Sequence, residues 1–310
     1  MKSLLWLCVV IVLSIVLYER IQPMHVYKKA VVSVDVPAVL MDMAPRPQEV
    51  VSAASVVKDI EPAMPVQDRQ PLAIIYPQKV APDNALQVYK KPYTVVGHLP
   101  MVSVIVAGLG LQADMTQRAL AVLPDVVSLS FSYGADNVSN WILQARQKGF
   151  ETLFDMPVQS DAFPLVDKGK YLISPLTKLW ENSAQVEDLL VQNSAVIGFV
   201  APDSMYMDDL PAYQQFVQDT LAPRGLIYVG RKAMSPEQPA IDLYFNGPFE
   251  PKTLDAFLDK VLQTAESNGR AVAVVPANAL ILSRLQQWML VQDADVEFVP
   301  VSALFADAEK

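Results

Sequence analysis

Four carboxylates stand where apolar runs of this chain end. Asp155 closes the run TLFD, Asp203 follows VIGFVAP, and Asp208-Asp209 come soon after. Two carboxyl groups at one mouth are the equipment of glycoside hydrolysis, one as acid and one as base or nucleophile. Asp203, Asp208 and Asp209 also read as loop and N-cap residues ahead of a helix beginning near Leu210. Asp155 is the demanding one, because a charge at the end of an apolar strand needs a partner or water. A second chemical stretch is VIVAGLGLQA, residues 104–113, with the G-x-G-x-x-A spacing of a dinucleotide loop. That loop requires an acidic residue about twenty positions on, at the end of the next strand, to hold the ribose. Ser130, Phe131 and Ser132 stand there instead, so the glycines read as a plain strand-to-helix turn.

Other chemistries are removed by what is missing. The two histidines are His25 and His98 and the one cysteine is Cys8, all ahead of the first predicted strand. Hydrolytic triads need an imidazole base, and zinc sites need imidazole or thiolate ligands. From Leu99 onward the chain has 14 Lys and Arg against 25 Asp and Glu, an acidic balance without basic clusters that excludes nucleic acid as a ligand. Tyr206 is a candidate for stacking on a sugar ring. Trp141, Trp180 and Trp288 fall inside helical patterns and are expected to pack in the core.

These residues are carried by an alternating β and α pattern. Strands are predicted near 102–107, 126–131, 151–155, 196–200, 226–229, 241–245, 271–275 and 296–300. Helices are predicted over Asp114 to Leu123, Asp136 to Lys148, Pro175 to Gln192, Asp209 to Leu221, Pro251 to Ser267 and Ala277 to Val291. Asp136-Asn137 suit a helix cap, Gly149 and Gly269 suit helix stops, and Pro251 suits a helix start. Near-continuous apolar strands such as VSVIVAG and RAVAVVPA predict a parallel sheet covered on both faces. Either a doubly wound sheet or an irregular (β/α) barrel accommodates this order. In both, the working face is formed by the carboxyl ends of the strands.

The first hundred residues have a different character. Residues 4–18, LLWLCVVIVLSIVLY, are apolar except for Ser14, and Glu19-Arg20-Ile21-Gln22-Pro23 offers no small-x-small cleavage site. Residues 1–20 are therefore expected to be an uncleaved signal anchor, a single pass through the inner membrane with the domain on the extracytoplasmic, periplasmic side. Residues 19–98 hold ten prolines and one glycine without a sustained hydrophobic period, so residues 21–98 are expected to form a disordered, semi-rigid tether.

The strand-end motifs, taken in order, resemble the divergent polysaccharide deacetylases, relatives of the NodB-type carbohydrate esterases. Leu109-Gly110 match the end of that family's Asp-Asp-Leu-Gly motif, with Ala107-Gly108 at the Asp-Asp places. Asp155-Met156-Pro157-Val158 lies where His-Leu-Pro-Met is expected, and Gly198-Phe199-Val200-Ala201-Pro202 where Gly-Val-Asn-Asn-His is expected. Val229-Gly230-Arg231 replaces Leu-Asp-Ser, and Val275-Pro276-Ala277 replaces Gly-His-Pro after an intact Gly269-Arg270-Ala271-Val272-Ala273. Val299-Pro300-Val301-Ser302-Ala303-Leu304 also looks like the family's ending.

The resemblance implies an irregular (β/α) barrel over residues 99–306, and a reaction in which a metal-polarised water attacks an acetamide. The degenerate motif positions are Ala107, Gly108, Asp155, Pro202, Gly230 and Pro276. With these residues no metal, no cofactor and no catalytic residue is expected. The candidate ligand-binding residues are Asp155, Gln159, Asp203 and Arg231, and the expected partner is a cell-envelope glycan or an envelope protein. The alternative expectation is a carbohydrate-active hydrolase that works without zinc through Asp155 and a second carboxylate.

Overall fold

The structure, a computed structural model, describes residues 84–160, 169–192, 195–204, 206–235 and 238–309. The expected anchor and residues 21–83 of the expected tether lie outside the described residues. Among the described residues no helix is long and apolar enough to cross a membrane.

Each of the eight predicted strands is present: β1 Met101–Leu109, β2 Ser128–Phe131, β3 Thr152–Asp155, β4 Gly198–Val200, β5 Ile227–Val229, β6 Leu243–Tyr244, β7 Arg270–Pro276 and β8 Glu297–Phe298. All their pairings are parallel, in the order β5-β4-β3-β2-β1-β7-β6, with β8 joined to the start of β1. Strand β1 is central, and seven of its residues, Met101 to Ala107, register with Arg270 to Pro276 of β7. Its side chains are buried almost without a break, as expected of an inner strand of a covered parallel sheet. The sheet is a half-barrel whose edges are β5 and β6. Across that seam the Ile241 N–H donates to the Gly230 carbonyl at 2.7 Å.

Helices α2 Ala113–Val122, α3 Val138–Gln147, α4 Leu179–Gln192, α5 Pro211–Thr220, α6 Pro251–Asn268 and α7 Ala279–Gln292 connect the strands. Gly269 ends α6 in the left-handed conformation, as expected of a helix stop. Two starts differ from expectation. Asn137 precedes α3 but makes no cap bond with its side chain. Helix α4 begins four residues later than predicted, because Pro175 belongs to a loop stapled by Asn182, whose amide donates to the Ser174 carbonyl at 3.0 Å and accepts from its N–H.

The tether was expected to run to residue 98, yet its last part is built into the domain. Ala85–Tyr89 forms a short helix, α1, with Ala85 and Tyr89 fully buried. Residues 84–98 then lace the amino-terminal end of the sheet. The Leu86 N–H donates to Gly225 ahead of β5, and the Arg146 guanidinium holds the Tyr89 carbonyl at 3.0 Å and lies over its ring. The Lys91 ammonium pairs with Asp125 at 2.8 Å, and the Tyr93 hydroxyl and the Val96 and Gly97 N–H groups bond Glu297. Burial, and then that carboxylate, push the Tyr93 phenol up to about 12. The proline count obscured this strap because its fixing groups are backbone donors and single side chains rather than an apolar period.

Beneath the strap lies Glu151, fully buried at the start of β3. Its carboxylate accepts from the N–H of Lys91 at 2.9 Å, the N–H of Ser302 at 3.1 Å and the Ser128 hydroxyl at 3.4 Å. Burial raises its pKa, against the pull of those donors. A carboxyl raised in the folded state contributes stability that is complete below its unfolded pKa and is lost as pH rises through the folded value. Urea midpoints are therefore expected to fall as pH rises above the ordinary carboxyl range, with Glu151→Gln flattening this part of the slope. Glu151→Ala orphans the buried Ser302 N–H and the part-buried Lys91 N–H and should cost about 1 to 3 kcal/mol for the first and less for the second.

Candidate functional site

At the carboxyl ends of the strands, Asp155 is the centre of what remains. One of its carboxylate oxygens accepts from the Ser130 hydroxyl at 2.6 Å and the other from the Gly108 N–H at 3.0 Å. Strands β1, β2 and β3 thus meet at one carboxylate, which answers the burial problem that its position posed. Gly108 has φ +79°, and a Cβ there would meet nothing within 4 Å, so the place where the family's acidic side chain would begin is open. Gly110, two residues on, is the opposite case. It has φ +89°, and a Cβ would lie 2.6 Å from the Ala135 methyl. The retained glycine of the motif is therefore a packing requirement where β1 passes the turn after β2.

A second carboxylate, Asp208, does what no capping reading anticipated. A 3₁₀ turn spans Met207–Asp209, and Leu210 rather than an aspartate precedes α5, so neither Asp208 nor Asp209 is its N-cap. Asp208 is fully buried. It accepts from the Tyr228 hydroxyl at 2.6 Å, the Ser204 hydroxyl at 2.7 Å and the Lys232 N–H at 3.0 Å. Burial raises its pKa, and these donors oppose the rise. A Cβ on Gly230 would fall 2.6 Å from the Asp208 carboxylate and 2.4 Å from the Tyr228 ring. The space in which the family's strand-end aspartate would begin is occupied here by a carboxylate reaching in from the preceding loop.

The other candidate residues divide. Asp155, Asp203 and Arg231 all act on one group, the Tyr244 phenol at the end of β6: burial first, then the negative charges of Asp203 and Asp155, push its pKa up, and Arg231 pulls it down. Asp203 is exposed and Arg231 half-buried. Gln159 is engaged within its own loop, where its side-chain carbonyl accepts from the Ser174 hydroxyl at 2.7 Å. Lys232 pairs with Asp209 at 2.5 Å. Ala107 faces Pro276 in register, and Pro202 follows Ala201, whose N–H is tied to Val229.

A rim of apolar side chains lies on the loops after the strands, of which only Tyr206 was expected. Leu111, Leu176, Tyr206 and Phe249 are exposed, and Tyr133 meets Tyr171 edge to face at 6.2 Å, joining the loops after β2 and β3. Trp180, expected in the core, is 65% exposed. Helix α4 buries Asn182, Val186, Leu189 and Leu190, and at about 100° per residue Trp180 falls on the face opposite to these. The helical period carried that information. Trp141 and Trp288 do pack against the core, Trp288 edge-on to Phe298 at 5.2 Å.

The arrangement offers ordered acceptors, one guanidinium and stacking surfaces. It does not fit a metal that would polarise water. No imidazole or thiolate occurs after His98, and among the described residues no three His, Cys, Asp or Glu side chains come together as ligands.

Parallel strands in a half-barrel, alternating with helices along the chain, define a NodB-like α/β domain. Residues 104–305 match the family described as divergent polysaccharide deacetylase, and the chain belongs to that family. No curated protein matches the chain significantly. Among solved structures, an uncharacterized protein from Agrobacterium tumefaciens C58 is similar at 22% identity and a TM-score of 0.64, over 71% of this chain and 95% of that one. The catalytic domain of a peptidoglycan N-acetylglucosamine deacetylase from Eubacterium rectale is similar at 14% identity and a TM-score of 0.42, over 68% of this chain and 92% of that one.

The Asp208 packing yields a direct expectation. Gly230→Ala should lower stability by about 1 to 3 kcal/mol through overpacking. Adding Asp208→Ala should cost less in that background than in the parent, because the two changes share one space. Chemical denaturation of the four proteins in this cycle checks it; strict additivity would show that the two sites do not compete.

Proposed function

We propose that the domain is a non-catalytic glycan-binding module of the cell envelope, anchored in the inner membrane by residues 1–20 and displayed on the periplasmic side. The observation that carries this reading is the contrast at the strand ends. Asp155 is kept as an ordered acceptor, while Ala107, Gly108, Pro202, Gly230 and Pro276 contribute neither metal ligand nor base. Around them stand Tyr133, Tyr171, Tyr206 and Phe249, and aromatic faces with hydrogen-bonding acceptors between them are how sugar rings are held. An envelope protein docked on the same mouth is the reading next to it. The hydrolase alternative rests on Asp155 and a second carboxylate at the strand ends, and it requires turnover.

The full-length chain is expected to bind acetylated chito-oligosaccharides without hydrolysing them and to carry no stoichiometric zinc. Asp155→Asn should weaken binding by roughly tenfold or more, the worth of one charge-assisted hydrogen bond, with the thermal midpoint followed on the same variant. Product release from the parent that Asp155→Asn abolishes would establish the hydrolase, and one tightly held zinc per chain would overturn the reading of lost catalysis. The protein recovered from membranes is expected to retain its amino terminus; a start after about residue 23 would remove the anchor.

A further inference from the structure

We propose that Arg231 makes this mouth selective for glycans bearing a carboxylate, an inference that rests on the glycan-binding reading and names the ligand class. Arg231 follows β5 at the open seam of the half-barrel, and its backbone is held on three sides. Its N–H donates to the Ser204 hydroxyl at 3.1 Å, the next N–H, of Lys232, donates to Asp208 at 3.0 Å, and the preceding carbonyl, of Gly230, accepts from Ile241 at 2.7 Å. The buried Asp208 network, with Ser204 bridging, is what fixes this stretch.

The guanidinium itself is left over. Its Nη1 is buried without a hydrogen-bond partner, and among the described residues the side chain forms no ion pair. Three acids at this end of the sheet are engaged elsewhere. Asp242, whose charge it influences, accepts from the Val272 N–H at 2.8 Å. Asp155 is bonded by Ser130 and Gly108, and Asp209 is neutralised by Lys232. Asp242, Asp155 and Asp209 are thus each drawn to a different donor, while the family's motif carries a small serine at this position. A half-buried planar fork with an unpartnered Nη1 matches a planar oxyanion, to which a guanidinium donates two parallel hydrogen bonds; a neutral sugar hydroxyl uses one donor at most.

Titration calorimetry on the full-length chain tests this with three tetrasaccharides: chitotetraose, its counterpart carrying a lactyl-ether carboxylate on alternate sugars, and the methyl ester of that counterpart, which keeps the shape and removes the charge. The acid is expected to bind at least about tenfold tighter than its ester, a factor suited to a charge-assisted bidentate contact. Arg231→Gln should erase that preference while leaving the ester's affinity within about twofold, and Arg231→Lys, which keeps charge without the fork, should retain only part of it. Equal binding of acid and ester by the parent would overturn the assignment and leave the glycan reading standing. Failure to bind any of the three would overturn both. Arg231→Gln losing acid and ester alike, with a lowered thermal midpoint, would place Arg231 in the structure of the seam and also overturn the assignment.

Discussion

A single carboxylate with no access to water organises the closed end of this domain. Glu151 opens β3 inside the protein, where an unpartnered charge is prohibitively costly, and the donors that make it tolerable come from three distant places: Lys91 in the strap, Ser128 at the start of β2 and Ser302 beyond β8. The Ser128 hydroxyl in turn accepts from the Val301 N–H at 3.0 Å. The first and last described parts of the domain are thereby brought to one point. With that end pinned, the strands run in parallel register to the other end, and whatever their carboxyl termini carry is presented together.

That other end has been rebuilt around different polar groups. Where the family's motifs put side chains on β1 and β5, this chain has glycines, and the two vacancies were resolved differently. At Gly108 nothing fills the space, and the backbone N–H is turned to Asp155. At Gly230 the space is filled from outside by Asp208, supported by Tyr228 and Ser204. A carboxyl group therefore persists near the end of β5, fully buried and with three donors, in a setting suited to holding a loop rather than to exchanging protons with a ligand.

The fold was largely legible because its signals are long and apolar. A nine-residue run such as β1 has few alternatives once glycines bound it, and the alternation of such runs with helical periods leaves only parallel architectures. The candidate site was legible in part. Asp155 declared itself by ending an apolar strand, and the missing histidines were visible by inspection. Asp208 was not legible, since an aspartate before a helix looks like a cap until Tyr228 and Ser204 are seen to converge on it from elsewhere in the sequence. The strap failed for a similar reason: Glu151 and Glu297 hold it through backbone N–H groups, which leave no trace in residue type. The exposure of Trp180 was written in the period of α4 and was obscured by the habit of counting tryptophan as core.

The strap also decides how the domain bears load. Residues 84–98 cross the amino-terminal ends of the strands, passing Gly225, Glu151 and Glu297 before the chain turns into β1, while the mouth lies at the opposite ends of those strands. Tension arriving at Asn84 is therefore taken up by bonds spread across the base of the sheet, and it reaches the mouth only through the length of the central strand. The entry of the chain into the domain and the strand-end mouth therefore lie at opposite ends of the sheet, joined by the length of β1.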